Sequence, residues 1–542
     1  MAVIETVLLL LLAVVVSGAV ARMTRIALPL VQIALGAGVV LITGHTIDLK
    51  PDIFFLLFLP PLLFLDGWRI PKEALFRDRA VILELALGLV LFTVVGLGFL
   101  IWWMIPEMPL PVAFALAAIL SPTDPIAVQA IAARVPIPKR LMHILEGEAM
   151  LNDATGLTCM RIAVLAATTG AFSIGHAVGT FAWLALAGVV VGIVVTLAIA
   201  TAKNFISKKW GEDVGAQILV SLLIPFAAYL VAEELHASGI LAAVAAGITM
   251  SFTERGQTQQ LATTRIRRAV VWDTVQFAAN GVIFVILGEQ MPSILARAAE
   301  VVAGTSRPEI WWLAVYVFAI VAALATLRFI WVWASLKMTL LRRREGPPPK
   351  VGLRLTMVMS MAGVRGAITL AGILTLPFVL ADGSEMPSRN LAIFLAAGVI
   401  IVSLVLATLV LPGLMRNIQL PPEPSHQQEE DRSRVAAAEA ALQAVEDKAH
   451  ALSEGKADPD LYTDIAARLM ALYRQRIESR TRTDDDDVDV SRRLDEIERQ
   501  LRLAGLRAER DELGRLMRAR EIDSDTGKKL IREVDLQELR FL

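Results

Sequence analysis

The sequence predicts an all-α polytopic membrane protein. About thirteen transmembrane helices form two inverted six-helix repeats with interrupted crossing helices, followed by a helical cytoplasmic tail. Three observations lead there. The 542 residues are 56% hydrophobic and 19% charged, with a mean hydropathy of +0.60, far more apolar than a soluble chain of this size. Apolar runs of membrane-crossing length recur as far as Met415, whereas from Arg416 onward charges are dense and such runs disappear. That shift divides the chain into a membrane domain at 1–415 and a tail at 416–542. Finally, basic residues fall in every second loop.

A run of roughly 20 apolar residues crosses the hydrocarbon. Such runs lie at 3–20, 26–44, 53–67, 80–105, 111–133, 143–168, 177–202, 214–232, 236–252, 270–290, 308–340, 355–381 and 391–415. The first has no positive charge before it, while Arg22 and Arg25 follow it, so it reads as a retained span rather than a signal peptide. The third is short and the eleventh long enough to tilt. Loop charges test the count. Alternate loops carry Arg22 and Arg25; Arg69, Lys72, Arg77 and Arg79; Arg134, Lys139 and Arg140. The series continues with Lys203, Lys208 and Lys209, then Arg255, Arg265, Arg267 and Arg268, then Arg342 to Arg344, Lys350 and Arg354. The intervening loops hold Lys50, Arg297, Arg307 and Arg389. About twenty basic residues against about four places the N-terminus outside and the tail in the cytoplasm.

The fifth span contains Ser121-Pro122-Thr123-Asp124-Pro125. Two prolines this close cannot both sit in an unbroken helix, because each removes a backbone donor and clashes with the preceding turn. The chain should therefore unwind at mid-membrane depth, exposing carbonyls beside a hydroxyl and a carboxylate. Irregular backbone is tolerated there where it lines a cavity, and an intramembrane carboxylate is a functional candidate. Hard oxygen ligands of this kind suit a cation. Span twelve repeats the theme, with Gly363 and Gly366 flanking Arg365 near the midplane. An arginine in lipid costs at least ~2.5–3.5 kcal/mol and needs a partner or a water cavity. Spans five and twelve are seven crossings apart and so run in opposite directions. Each is the fifth member of a six-span unit, the arrangement of a transporter site at a repeat interface.

Span six opens Glu146-Gly-Glu148-Ala149-Met150-Leu151-Asn152-Asp153. Glu148 and Asn152 share a helical face, and Asp153 lies one step round. Asp153 is about thirteen residues beyond Arg140, about 20 Å along a helix, which brings it level with Asp124. Burial disfavours the charged form of a carboxylate and a bound cation favours it. Proton and monovalent cation then compete for one group, which is the minimal physics of an antiporter. The plainer alternative is a hydrogen-bonded pair that ties helices together. Asp66 near Arg69 and Glu84 near Arg79 read as reaching the interface by snorkelling, Asn280 and Ser238 as interhelical hydrogen-bond donors or acceptors, and Arg161 and Arg328 have no evident partners. The lone Cys159 sits in an apolar span and reads as a small core residue.

Three motifs resemble those of the bacterial sodium/proton exchangers of the monovalent cation:proton antiporter-1 family: Ser121 to Pro125, Gly147 to Gly156 and Gly363 to Ala371. Phe58 to Phe64, Ser238 to Val244 and Asn280 to Gly288 add to the resemblance, which covers essentially all spans. It implies thirteen helices in inverted repeats, a homodimer in the cell membrane, and exchange of cytoplasmic sodium for protons in pH and sodium homeostasis. Carried onto this chain, Asp153 becomes the central ion- and proton-binding carboxylate, supported by Asp124, so that Na+ would sit at Asp153 and Asp124. Thr123 offers a backbone carbonyl, and Asn152 stands where electrogenic relatives carry a second aspartate, so exchange is expected to be electroneutral. Glu148 would pair with Arg365. Many relatives have serine directly after that glutamate, and this chain has Ala149, so one ligand is missing or replaced by water.

The expected ligands are therefore a monovalent cation and the proton, in a lipid bilayer, with no cofactor and no nucleic acid. Potassium or lithium in place of sodium is an alternative within the same architecture. A cation channel would need repeated pore loops, which two dissimilar interrupted helices do not supply. An enzyme would need a nucleophile–base pair or metal ligands at depth, and none of the six histidines is paired within a span. In the tail, Val435 to Leu452 is alanine-rich, Leu461 to Ile477 is amphipathic, and Thr483 followed by four aspartates marks a linker before helix from about Val490 to Arg520.

Overall fold

A computed structural model of the chain describes residues 2–44, 51–124, 139–170, 173–211, 213–255, 262–298, 309–342, 353–379, 385–415, 426–453, 459–481, 485–519 and 521–538. Their regular structure is helical, apart from one isolated β-bridge between Val379 and Glu385. The chain divides into two compact units, Met1–Gln419 and Leu420–Leu542.

The first unit opens with α1 (Ala2–Thr24), α2 (Leu28–Thr43), α3 (Pro51–Arg69) and the short α4 (Lys72–Arg77). Next, α5 (Arg79–Leu83) continues through a π-helical turn, Glu84–Leu89, into α6 (Val90–Met104). Then come α7 (Leu110–Leu120), α8 (Lys139–Thr169), α9 (Ile174–Trp210), α10 (Val214–Glu234), α11 (Gly239–Arg255) and α12 (Ala262–Ala296). The unit closes with α13 (Trp311–Arg342), α14 (Leu353–Met361), α15 (Ala367–Leu374) and α16 (Arg389–Met415).

Among the described residues, seven helices are long and apolar enough to cross a membrane, and three shorter apolar helices accompany them, at Leu28–Thr43, Leu110–Leu120 and Gly239–Glu254. The sequence-based count of about thirteen is larger for an identifiable reason. It includes the short third span in α3, the span broken at 362–366, and α8, whose Glu146, Glu148, Asp153 and Arg161 dilute its hydropathy.

The core gathers around α7, where Ala113 and Ala115 to Leu120 are all buried. It packs against α6, α8, α15 and α16. Small residues let backbones approach where no water-driven force holds helices together. At the α3–α11 crossing a Cβ on Gly67 would lie 2.5 Å from Val244 O, and one on Gly247 would overlap Phe64 O. No larger residue fits either position.

The second unit holds α17 (His426–Ser453), α18 (Pro459–Thr481), α19 (Asp485–Arg518) and α20 (Ser524–Glu538). Helix α17 packs on α18 and α19 on α20. The acidic run expected to be a linker instead supplies the first turn of α19, beginning at Asp485.

Candidate functional site

Helix α7 ends at Leu120, and Ser121 to Asp124 are not helical. The interruption expected in span twelve is also present, as residues 362–366 separate α14 from α15. Pro125, the second proline of the motif, lies outside the described residues. Several backbone groups freed by these breaks find new partners, as a buried helix end requires. Pro122 has no N–H for Ala118 O, and the Ser121 hydroxyl donates to that carbonyl instead, at 3.1 Å. An unbroken helix would pair Asp124 N–H with Leu120 O. Here Asp124 N donates across to Val364 O at 2.8 Å, while Arg365 Nε donates to Leu120 O at 2.8 Å. The two irregular stretches are stitched together by exchanged partners.

This exchange corrects the expected Glu148–Arg365 ion pair. Arg365 spends its donors on backbone, giving Nη1 to Gly363 O as well, and its own N–H bonds Ser403 Oγ at 3.3 Å. The partner of Glu148 is Arg328 of α13, through Nη1 to Oε1 and Nη2 to Oε2 at 2.7 Å. Both side chains are buried. Arg328 Nε also donates to Met359 O at 2.9 Å, near the end of α14. A two-pronged guanidinium matches a carboxylate and leaves Nε free for a carbonyl. Arg161, also unassigned by sequence, pairs with Glu233 at 3.1 Å.

From Glu148 the hydrogen bonds run inward. Thr123 Oγ1 donates to Glu148 Oε1 at 3.3 Å and accepts from Asn152 Nδ2 at 3.0 Å. Asn152, expected beside the ion, does not line the cavity described next. It holds Thr123 from behind.

A cavity of about 60 Å³ opens in front of the broken stretches, lined by Pro122, Thr123, Asp124, Ala149, Asp153, Gly366 and Thr369, with Asp66 from α3 and Gln276, Asn280 and Phe284 from α12. Its volume exceeds the ~10–15 Å³ needed for one water. Gly366 is forced by Asp124: a Cβ there would stand 2.6 Å from the Asp124 Cγ. Three carboxylates that line one small cavity repel one another, and a cation or protons relieve that repulsion. Asp124 and Asp153 are brought together as expected. Ala149 contributes to the cavity wall and offers no side-chain oxygen there.

Asp66, expected near Arg69 and reaching toward the interface, also lines the cavity with Asp124 and Asp153, while Arg69 makes its hydrogen bonds to Asp273 and Gln276. A signal was available: a carboxylate five residues past Pro61 in an apolar run is as costly as the two that were singled out. Asn280 and Gln276, four apart on α12, also line the cavity, and Asn280 Oδ1 is buried without a hydrogen-bond partner among the described residues.

A family profile described as sodium/hydrogen exchanger, transmembrane, matches residues 8–417. The chain is 40% identical over 543 residues to a protein of Escherichia coli strain K12 described as an uncharacterized Na(+)/H(+) exchanger, covering 98% of both chains. It is 42% identical over 410 residues to a sodium, potassium, lithium and rubidium/H(+) antiporter of Bacillus subtilis strain 168, covering 75% of this chain and 61% of that one. A structure of the sodium proton antiporter MjNhaP1 from Methanocaldococcus jannaschii superposes with a TM-score of 0.56 at 17% identity, over 77% of this chain and 99% of that one. At that identity the likeness concerns the fold.

Proposed function

As the chain belongs to the transmembrane sodium/hydrogen exchanger family, we propose that it is a secondary antiporter exchanging a cytoplasmic monovalent cation, Na+, for external H+ at Asp153 and Asp124. The observation that supports this reading most is the cavity in which both carboxylates face Thr123 between two broken helices. In this reading the deprotonated Asp153 takes the cation together with Asp124 and oxygens of the unwound stretch. A proton arriving from the other side displaces it. Glu148 and Arg328 fix Thr123 and the end of α14, so the site keeps its shape as the ion changes.

The finer architecture belongs to the same proposal: thirteen spans, inverted repeats, N-terminus outside, tail in the cytoplasm, a homodimer in the cell membrane, and a role in pH and sodium homeostasis. The loop-charge alternation supports the orientation. Exchange is electroneutral in this account if Asp66 and Asp124 each keep one ionisation state through the cycle, because Asp153 is then offset by either one proton or one monovalent cation. A second reading, broader selectivity that includes K+ and Li+, is favoured by the methyl of Ala149 on the cavity wall and by the Bacillus relative named for four cations.

Purified protein in proteoliposomes carrying a pH gradient tests the proposal. Addition of Na+ should dissipate the gradient, and a clamped membrane voltage should alter neither rate nor endpoint, since one moved charge would contribute ~2.3 kcal/mol per 100 mV. Cation accumulation driven by voltage alone would contradict the electroneutral scheme, and absence of any cation-dependent proton flux would contradict antiport.

A further inference from the structure

Arg69 ends α3 one helical turn beyond Asp66, on the same face. Its Nη1 donates to Gln276 Oε1 at 2.7 Å, and Nη2 meets Asp273 Oδ1. On α12, Asp273, Gln276 and Asn280 follow one stripe at spacings of three and four. Gln276 and Asn280 line the ion cavity, as does Asp66. Asp273 and Arg69 stand one turn farther out, with side chains 63% and 38% exposed. A guanidinium therefore stands one turn beyond a cavity lined by three carboxylates, of which Asp66, itself exposed, is the one nearest to it along α3.

A purely mechanical role for this contact is already filled one residue earlier. Trp68 Nε1 donates to Glu254 Oε2 at 3.0 Å, and Arg268, only 2% exposed, pairs with Glu254 at 2.7 Å. Arg268 also lies 5.6 Å from the centre of the Trp68 ring. That buried cluster bolts the end of α3 to α11 and α12. An exposed pair beside it adds little stability. Its charge, by contrast, acts on every cation that passes.

Resting on the antiport reading above, we propose that Arg69 is a gating residue: its guanidinium, held at the cavity rim by Asp273 and Gln276, repels arriving cations and sets the concentration at which they enter. Asp273 tempers the repulsion by offsetting the charge and keeping it to one side of the rim.

The test is cation-dependent proton flux in proteoliposomes containing full-length wild type, Arg69→Gln, Arg69→Lys, Asp273→Asn or Arg69→Gln/Asp273→Asn, each checked by melting temperature. Arg69→Gln should lower the half-saturating Na+ concentration about two- to tenfold, the effect of one unit charge roughly 10 Å away, with a smaller change in maximal rate. Arg69→Lys should stay near wild type, Asp273→Asn should raise the half-saturating concentration, and the double variant should reverse that rise. An unchanged or raised value in folded Arg69→Gln, or equal behaviour of Gln and Lys at position 69, overturns the proposal. If Arg69→Gln does not fold, Asp273→Asn decides, and an unchanged or lowered value there overturns it. A wild type without cation-dependent flux would instead sink the antiport reading, so the two failures are separable.

Discussion

At the scale of single residues, the molecule shows how buried charge is kept quiet. Arg365 and Arg328 are both buried, yet they do different work. Arg365 answers carbonyls left open by the broken helices, at Leu120 and Gly363. Arg328 spans Glu148 and Met359 O. Sequence reasoning found Glu148 and both arginines but paired Glu148 with the wrong one. Spacing along a helix says which residues share a face and nothing about which neighbouring helix supplies the partner. Orphan carbonyls are invisible until the breaks are seen in three dimensions. The corrected pairing has a measurable consequence. Removing one side of a buried ion pair strands the other charge at ~3–5 kcal/mol. Glu148→Ala and Arg328→Ala should each lower the melting temperature markedly, and Glu148→Ala/Arg328→Ala should recover part of the loss. Glu148→Ala combined with Arg365→Ala should show no such recovery. Strictly additive losses for Glu148 and Arg328 would argue against the pair.

At the scale of elements, what was legible followed from covalent chemistry. Pro122 between Ser121 and Thr123 ends α7, and glycines at 363 and 366 mark the gap between α14 and α15. Both breaks could be read because proline and glycine act on their own backbone. What stayed hidden was the contribution of α3 and α12. Asp66 and Asn280 are polar residues in otherwise apolar stretches of their helices, and only packing shows that they line the same cavity as Asp153. A second element-level device lies at the junction of α4 and α5. Asp78 is buried and accepts from Arg140 Nη2 at 2.6 Å and from Arg77, tying this corner to the start of α8. Burial alone would raise its carboxyl, but the hydrogen bonds and charges of Arg140 and Arg77 outweigh it and hold the group below the usual carboxylate range. A depressed folded-state pKa stabilises above the unfolded value of about 3.9 and loses that contribution as the pH falls further. Asp78→Asn should therefore melt below wild type at pH 7, and the difference should shrink only beneath about pH 4. A difference that already disappears between pH 7 and 5 would contradict this account.

At the scale of the whole molecule, composition and loop charges gave the polytopic helical class. They did not give the way the chain uses α8. That helix carries Glu148 and Asp153 through the protein interior, with Ala149 on the cavity wall. Its charges make it look less like a membrane span than its neighbours, although it bears the central carboxylate of the proposed site. Asp153 on α8, Asp124 after α7, Asp66 on α3 and the amides of α12 come from four separated parts of the chain. The site is therefore a property of the packed bundle rather than of any one motif. The central claim is that one proton and one cation compete for Asp153. It is tested most directly by titrating Na+ into purified, weakly buffered protein while following both cation binding and proton release. The account predicts close to one proton released for each cation bound at a pH where the free site is almost fully protonated, falling toward zero as the pH rises, and neither binding nor release in folded Asp153→Asn. Cation binding without proton release in the wild type, or undiminished coupled release in Asp153→Asn, would contradict it.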